Sequence, residues 1–218
     1  MRPYRGRRKF EITDPLIEPL WSGVRVLAYV AAGSAGATVD APHVELIEDL
    51  GLDLADELPE VAVAVGRSVM AHDAVIDGVI SHQVGLDGIG AAAIPEVRGS
   101  TTNLLMRNNA EFDVVPRGQA VGQPSELEGF IAFDLLRIDG SELLEVPLLE
   151  RKRLLESVIK QSPLVRVSVH VRPPLGTWIS TWKSLGLRGA ILKAANSRYR
   201  PGDDTIEWRP VESVGQRR

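Results

Sequence analysis

Residues 130–136, FIAFDLL, form an apolar run broken by a single carboxylate, Asp134. A run this short and this apolar, bounded by turn signals, is a buried strand. An ionised carboxylate inside it must meet a cation, because an unpaired charge in a dry interior is prohibitively costly. Asp139-Gly140 then turns the chain. Pro147 starts a helix that carries Leu148, Leu149, Leu154, Leu155, Val158 and Ile159. Strand, turn and helix in this order fix the scaffold around which the rest must pack.

Either side of it the pattern is mostly of strands. Residues 24–32 (VRVLAYVAA) read as a strand and 33–36 as a turn. Val44, Leu46, Ile47 and Leu54 have helix-like spacing across 44–54. The runs 61–65 and 74–80 read as paired strands joined through 66–73. Residues 81–128, rich in Gly and Pro, read as a loop with one short helix at 101–108. Beyond the opening segment, 165–171 alternates as a strand ended by Pro173-Pro174, and 177–185 is a helix stopped at Gly186. A strand at 189–194 and a turn at 197–202 lead to a final strand running through Trp208. Strands come in runs and do not alternate strictly with helices, which points to an α+β fold with mainly antiparallel sheets. The expected organisation is a basic, flexible arm at 1–12, one domain at 13–210 and a tail at 211–218.

The bulk properties narrow the class. A chain of 218 residues with 44% hydrophobic and 25% charged residues builds an ordinary globular core. No run approaches the ~18 apolar residues of a membrane span, and no apolar stretch follows the basic start as a signal peptide requires. A cytoplasmic protein with no membrane partner is the expectation. The absence of cysteine excludes disulfides and thiolate metal sites, and His43, His72, His82 and His170 show no ligand spacing, so no metal-binding residues are assigned. The net charge of −4 is unevenly spread. Arg2, Arg5, Arg7, Arg8 and Lys9 crowd the start. No Lys or Arg lies between Arg25 and Arg67, a stretch holding Asp40, Glu45, Glu48, Asp49, Asp53, Asp56, Glu57 and Glu60. Such a face repels a phosphate backbone.

The wording FDLL-x-x-DG followed by PL-x-ER-x-x-LL resembles the middle of the adenylation domain of ATP-dependent DNA ligases. Three further stretches match that family in order. LWSGVRVLAYV from Leu20 matches the G-x-R behind the nucleophile. VIDGVI at 75–80 matches the first two letters of D-G-E. LRGAILKAANSRYRPGDDTIEW at 187–208 matches the fourth motif, with Lys193, Ser197, Tyr199, Pro201, Gly202 and Trp208 in register. The resemblance implies a ligase/nucleotidyltransferase (ATP-grasp-like) fold of two mainly antiparallel sheets flanked by helices, closing on ATP. It implies Mg²⁺ beside the ATP where the site is kept, adenine stacked on Phe133, and Gly23, Arg25 and Lys193 as further nucleotide-binding residues. DNA or DNA-repair proteins are the implied partners. An OB-fold partner chain would be needed for ligation, since ten residues follow Trp208. Read without the resemblance, Phe133 is a core residue, Arg25 pairs with Asp77 or Asp134, and Lys193 is a salt-bridge partner.

The departures fall on the chemistry. Leu20 stands where the family has its nucleophilic lysine, Val79 where D-G-E has its glutamate, and Arg188 where the fourth motif has its own. Arg209, Pro210 and Val211 follow Trp208 in place of phosphate-binding lysines. The family's S-R-x-G falls somewhere in 44–51, which contains no arginine. No catalytic residue is assigned. The expected function is that of a ligase-like adenylation domain in a DNA-repair or end-joining context, unable to form lysyl-AMP. The alternative is an active DNA ligase or nucleotidyltransferase with a displaced lysine, Lys193 or Lys9. Of the five lysines, Lys9, Lys152, Lys160, Lys183 and Lys193, the resemblance puts Lys193 alone in the pocket.

Overall fold

The computed structural model describes residues 2–3, 12–32, 42–85, 128–202, 204–205 and 207–212. Outside these lie most of the basic arm, the turn at 33–36, most of the 81–128 loop with its helix at 101–108, and most of the tail. The strands are β1 (Arg2–Pro3), β2 (Pro15–Pro19), β3 (Val24–Ala31), β4 (His43–Glu48), β5 (Asp73–Ser81), β6 (Gly129–Ile138), β7 (Ser141–Glu142), β8 (Val165–Val167), β9 (Gly189–Ala194), β10 (Asp204–Thr205) and β11 (Trp208–Glu212). The helices are α1 (Pro59–Ser68), α2 (Leu148–Val158) and α3 (Leu175–Ser184).

The larger sheet runs β4-β3-β5-β6-β7, antiparallel throughout, with β8 added parallel to β6. A second sheet runs β11-β9-β2, also antiparallel. Proline explains its order. Pro15, Pro19 and Pro210 sit on the flanking strands, where a missing N–H spares the ladder, and central β9 has none. A third, two-stranded sheet pairs β1 with β10 in parallel, and the two larger sheets with flanking helices give the expected α+β, mainly antiparallel architecture.

The main core lies under one face of the larger sheet. Val26, Ala28, Leu46, Ile76, Phe130 and Leu135 pack there against Val61 and Val65 of α1 and Leu155 and Val158 of α2. Gly78 belongs to this packing, because a Cβ on it would lie 2.3 Å from the Phe130 ring. A separate cluster of Ile17, Trp178, Trp182 and Leu187 covers the outer face of the second sheet with α3. The other face of the larger sheet looks toward the second sheet, and the candidate site lies between them.

Three local expectations are corrected. Residues 44–54 do not form a helix. β4 is a strand whose Val44 and Leu46 pack on the core while Ile47 points to the opposite face, and a single Leu-Ile step had blurred this two-residue period. Residues 61–65 are helical, not a strand. The V-A-V-A-V wording imitates alternation, but Pro59 opens α1, Val61 and Val65 lie one turn apart on its buried side, and Val63 is 51% exposed. Trp208 begins the last strand and does not end it.

Asp134 finds its cation on α2. Arg151 donates through Nε to Oδ1 and through Nη2 to Oδ2, both at 2.8 Å, and both side chains are 0% exposed. Its Nη1 also donates to the Val146 carbonyl. This bidentate fork ties the opening strand to the helix that follows it.

Candidate nucleotide site between the sheets

β6 carries two register shifts against β5, one between Val75 and Ile76 and one between Asp77 and Gly78. The second leaves Phe133 as an extra residue opposite the Asp77–Gly78 step, a β-bulge, which re-aims a side chain locally. Phe133 is thus the one partly exposed residue between Gly129 and Leu136. Its ring is partly buried and packs against the Val79, Val84 and Ile131 cluster, as the reading from apolarity expects in part. It also faces cations, with Lys193 Nζ 4.8 Å and the Arg25 guanidinium carbon 5.7 Å from its centroid. The same Lys193 ammonium lies 4.3 Å from the centre of the Trp208 ring. Three of the four residues singled out from the sequence therefore converge.

Arg25 is held by Asp77, the first of its two expected partners. Nε donates to Oδ1 at 2.9 Å and Nη2 donates to Oδ2. The Tyr199 hydroxyl donates to the same Oδ2 at 2.7 Å. Burial works against the guanidinium, yet Asp77 outweighs it and raises the Arg25 pKa, so Arg25 is permanently charged. Burial, with the Asp77 charge, also pushes the Tyr199 pKa upward, so Tyr199 stays a donor. Gly23, the fourth residue, has a backbone role. Its φ is +149°, and a Cβ would lie 2.0 Å from the Ile80 carbonyl oxygen.

Behind the rings lies an ionic cluster that the sequence reading missed in part. Glu18 of β2 is 1% exposed and takes Lys193 at 3.0 Å and Lys152 of α2 at 2.8 Å. Lys193 is indeed a salt-bridge partner, but Lys152 joins it, so Lys193 is not the only lysine at the site. Ser168 Oγ donates to Glu18 at 3.1 Å and receives the Trp21 indole N–H at 2.9 Å. Burial alone would raise the Glu18 carboxyl, but the two ammoniums prevail and hold it below its ordinary value. Burial pulls the Lys193 amine down. Glu18 carried the same signal as Asp134, a lone carboxylate among Leu16, Ile17 and prolines. Lys152 carried none, since it directly follows the buried Arg151 on the helix.

At the family's carboxylate position the surroundings are apolar. Val79 is 5% exposed and packs with Val84 and Ile131, flanked by Trp21 and Phe133. Leu20 donates its N–H to the Gly189 carbonyl at 3.0 Å, so its backbone continues the β2–β9 ladder. These residues do not fit Mg²⁺, which demands oxygen ligands. Among the described residues no group of three or more His, Cys, Asp or Glu could hold a metal ion.

A family model described as ATP dependent DNA ligase domain matches residues 116–209. DNA ligase 2 of Methanosarcina mazei is 29% identical over 165 residues, covering 72% of this chain and 26% of that protein. The multifunctional non-homologous end joining DNA repair protein LigD of Mycobacterium tuberculosis is 28% identical over 193 residues, covering 88% of this chain and 20% of that protein. Among solved structures, mycobacterial DNA ligase D complexed with ATP and MES superposes with a TM-score of 0.58 at 23% identity, covering 91% of this chain and 54% of that one. The molecule has the adenylation-domain fold of ATP-dependent DNA ligases. In sequence the chain is similar to those ligases, and it spans about a quarter of the length of the curated relatives it matches. Among the described residues, no helix is long and apolar enough to cross a membrane.

Proposed function

We propose that this chain is a ligase-like adenylation domain that forms no lysyl-AMP and acts as a binding module in DNA repair or end joining. The observation that carries the reading is the apolar patch around Val79, next to a nucleophile position held by Leu20. A leucine cannot form a phosphoramidate, and a buried valine cannot hold a metal or a ribose hydroxyl. What remains is the partly exposed Phe133 ring beside Arg25, backed by the buried Lys193, and this set is the one assigned to non-covalent nucleotide contact. The repair context rests on the named relatives. Intact-mass spectrometry after incubation with ATP and Mg²⁺ tests the proposal. An unchanged mass is expected, and a lysine-linked AMP would overturn it.

One observation favours a second reading, an active nucleotidyltransferase with a displaced lysine. Burial lowers the Lys193 pKa beside Phe133, and an amine is nucleophilic only when neutral. That reading requires an adduct that disappears in Lys193→Ala.

A further inference from the structure

At the candidate nucleotide site the polar groups are paired within the protein. Arg25 gives Nε and Nη2 to the two oxygens of the buried Asp77. Lys193 is 2% exposed and bound to Glu18. Backbone donors of the loop at 20–23 are engaged as well. The Leu20 N–H goes to the Gly189 carbonyl, and the Ser22 N–H goes to Gln83 Oε1 at 2.9 Å. Gln83 is fixed in turn, because its own N–H donates to Ser81 Oγ at 3.0 Å while that hydroxyl donates to the Ser22 carbonyl at 2.6 Å. A phosphate chain is gripped by N–H groups and cations that have no other partner, and these groups have one.

The rings are different. Trp21 and Phe133 are both partly exposed, and both pack on an aliphatic floor of Val79, Val84 and Ile131. Each is held in place, Trp21 by its indole N–H on Ser168 Oγ at 2.9 Å and Phe133 by the bulge in β6. The loop lies down on the same floor, since a Cβ on Gly23 would come within 2.9 Å of Val79 Cγ2. Trp178, Trp182 and Trp208 are buried, so Trp21 is the tryptophan that a ligand in solution can reach. Two fixed aromatic side chains over an apolar floor suit a flat heteroaromatic ring, and every nucleobase has such a face whatever phosphate it carries. Mg²⁺ with a triphosphate would instead bring hydrated charge onto valine and isoleucine.

We propose that this site binds a nucleobase through Trp21 and Phe133, with no contribution from phosphate or Mg²⁺. The base belongs to a free nucleoside or to an unpaired strand, which present the same ring. Trp21 is then a ligand-binding residue that the motif matches did not assign. This ligand class rests on the non-covalent nucleotide reading given above and narrows it to the base.

The test titrates the full chain into the fluorescent nucleoside 2-aminopurine riboside, which is quenched on stacking. Adenosine, ATP, ATP with Mg²⁺ and a single-stranded oligodeoxynucleotide serve as competitors. The expected result is saturable quenching, with ATP competing no better than about threefold beyond adenosine and Mg²⁺ without effect. Trp21→Leu should weaken binding about tenfold, whereas Trp21→Phe, which keeps a ring, should retain most of it. Competition by the oligonucleotide at lower base concentration than adenosine assigns the base to a strand, and weaker competition assigns it to a free nucleoside. ATP with Mg²⁺ competing about tenfold better than adenosine would overturn the proposal. So would an absence of quenching, or equal affinity in Trp21→Leu and the unaltered chain. The comparison of adenosine with ATP uses the unaltered chain, so it decides the matter even where Trp21→Leu does not fold. Any of these failures with an unchanged intact mass leaves the non-adenylating reading standing, whereas a lysine-linked AMP overturns that reading itself.

Discussion

Replacing Arg151 by methionine isolates what the Asp134 contact contributes. Methionine keeps much of the side-chain volume on α2 and removes the cation. It strands the Asp134 carboxylate, which is 0% exposed, and removes both 2.8 Å bonds from the fork. The Val146 carbonyl also loses its Arg151 donor, whereas the Ser197 carbonyl keeps the Leu148 N–H at 3.0 Å. Breaking one partner of a buried pair costs about 3–5 kcal/mol. For a domain of this size that corresponds to a fall in melting temperature of about 6–20 °C. Asp134→Asn added to Arg151→Met discharges the stranded group while keeping an oxygen for the Leu135 N–H, now 2.9 Å from Oδ1. The double variant should therefore recover about 2 kcal/mol. Urea unfolding followed by tryptophan fluorescence, with Trp178, Trp182 and Trp208 all buried, reads both changes. A single substitution costing under about 1 kcal/mol, or no recovery in the double, would refute the claim that Asp134 is charged and held by Arg151.

Other consequences are open to direct measurement. Glu18→Gln leaves the Lys152 and Lys193 ammoniums facing each other without a counter-charge, and should destabilise the chain by about 3–5 kcal/mol in the same unfolding assay. Because the Glu18 pKa is depressed, the stability it contributes is present above the ordinary carboxylate pKa of 4.5 and is lost as pH falls through its folded value. His170 adds to this acid sensitivity. Burial and then Lys152 lower its pKa from 6.5 to about 4, so the unfolded chain binds its proton first and stability declines as pH drops from 6.5 toward 4. His170→Gln should flatten that decline by at most about 1.4 kcal/mol per pH unit, as seen in urea midpoints across the interval. Gly78→Ala puts a methyl 2.3 Å from the Phe130 ring and 2.7 Å from the Ile131 carbonyl oxygen, and should cost about 1–3 kcal/mol by differential scanning calorimetry. An unchanged transition would mean that β5 and β6 can part without loss.

The strand, turn and helix around Asp134 were legible because each is written locally, in an apolar run, a DG turn and a proline start. The demand that Asp134 find a cation was legible as well, since it follows from burial alone. α1 and β4 were misread because short valine-rich and leucine-rich segments satisfy either period when only a turn or two is present. At the candidate site, Phe133, Arg25, Gly23 and Lys193 came from ordered motif matches. The bulge that re-aims Phe133 could not be read, since it depends on how β6 registers against a strand some fifty residues away. The sharing of Glu18 between two lysines likewise arises only when β2, β9 and α2 meet.

The prolines of the three-stranded sheet bear on how this molecule behaves among its own copies. A bare strand edge is a template on which another chain can extend a sheet. Here Pro15, Pro19 and Pro210 interrupt the donor rows of both outer strands, and Ile17 exchanges backbone bonds with Val171 at 2.9 Å in each direction, capping the middle of β2. On the larger sheet, outer strand β4 carries His43, Glu45 and Glu48, whose charge and polarity discourage a like neighbour. Among the described residues, those at the edges formed by β2, β11 and β4 therefore discourage strand-to-strand self-association there.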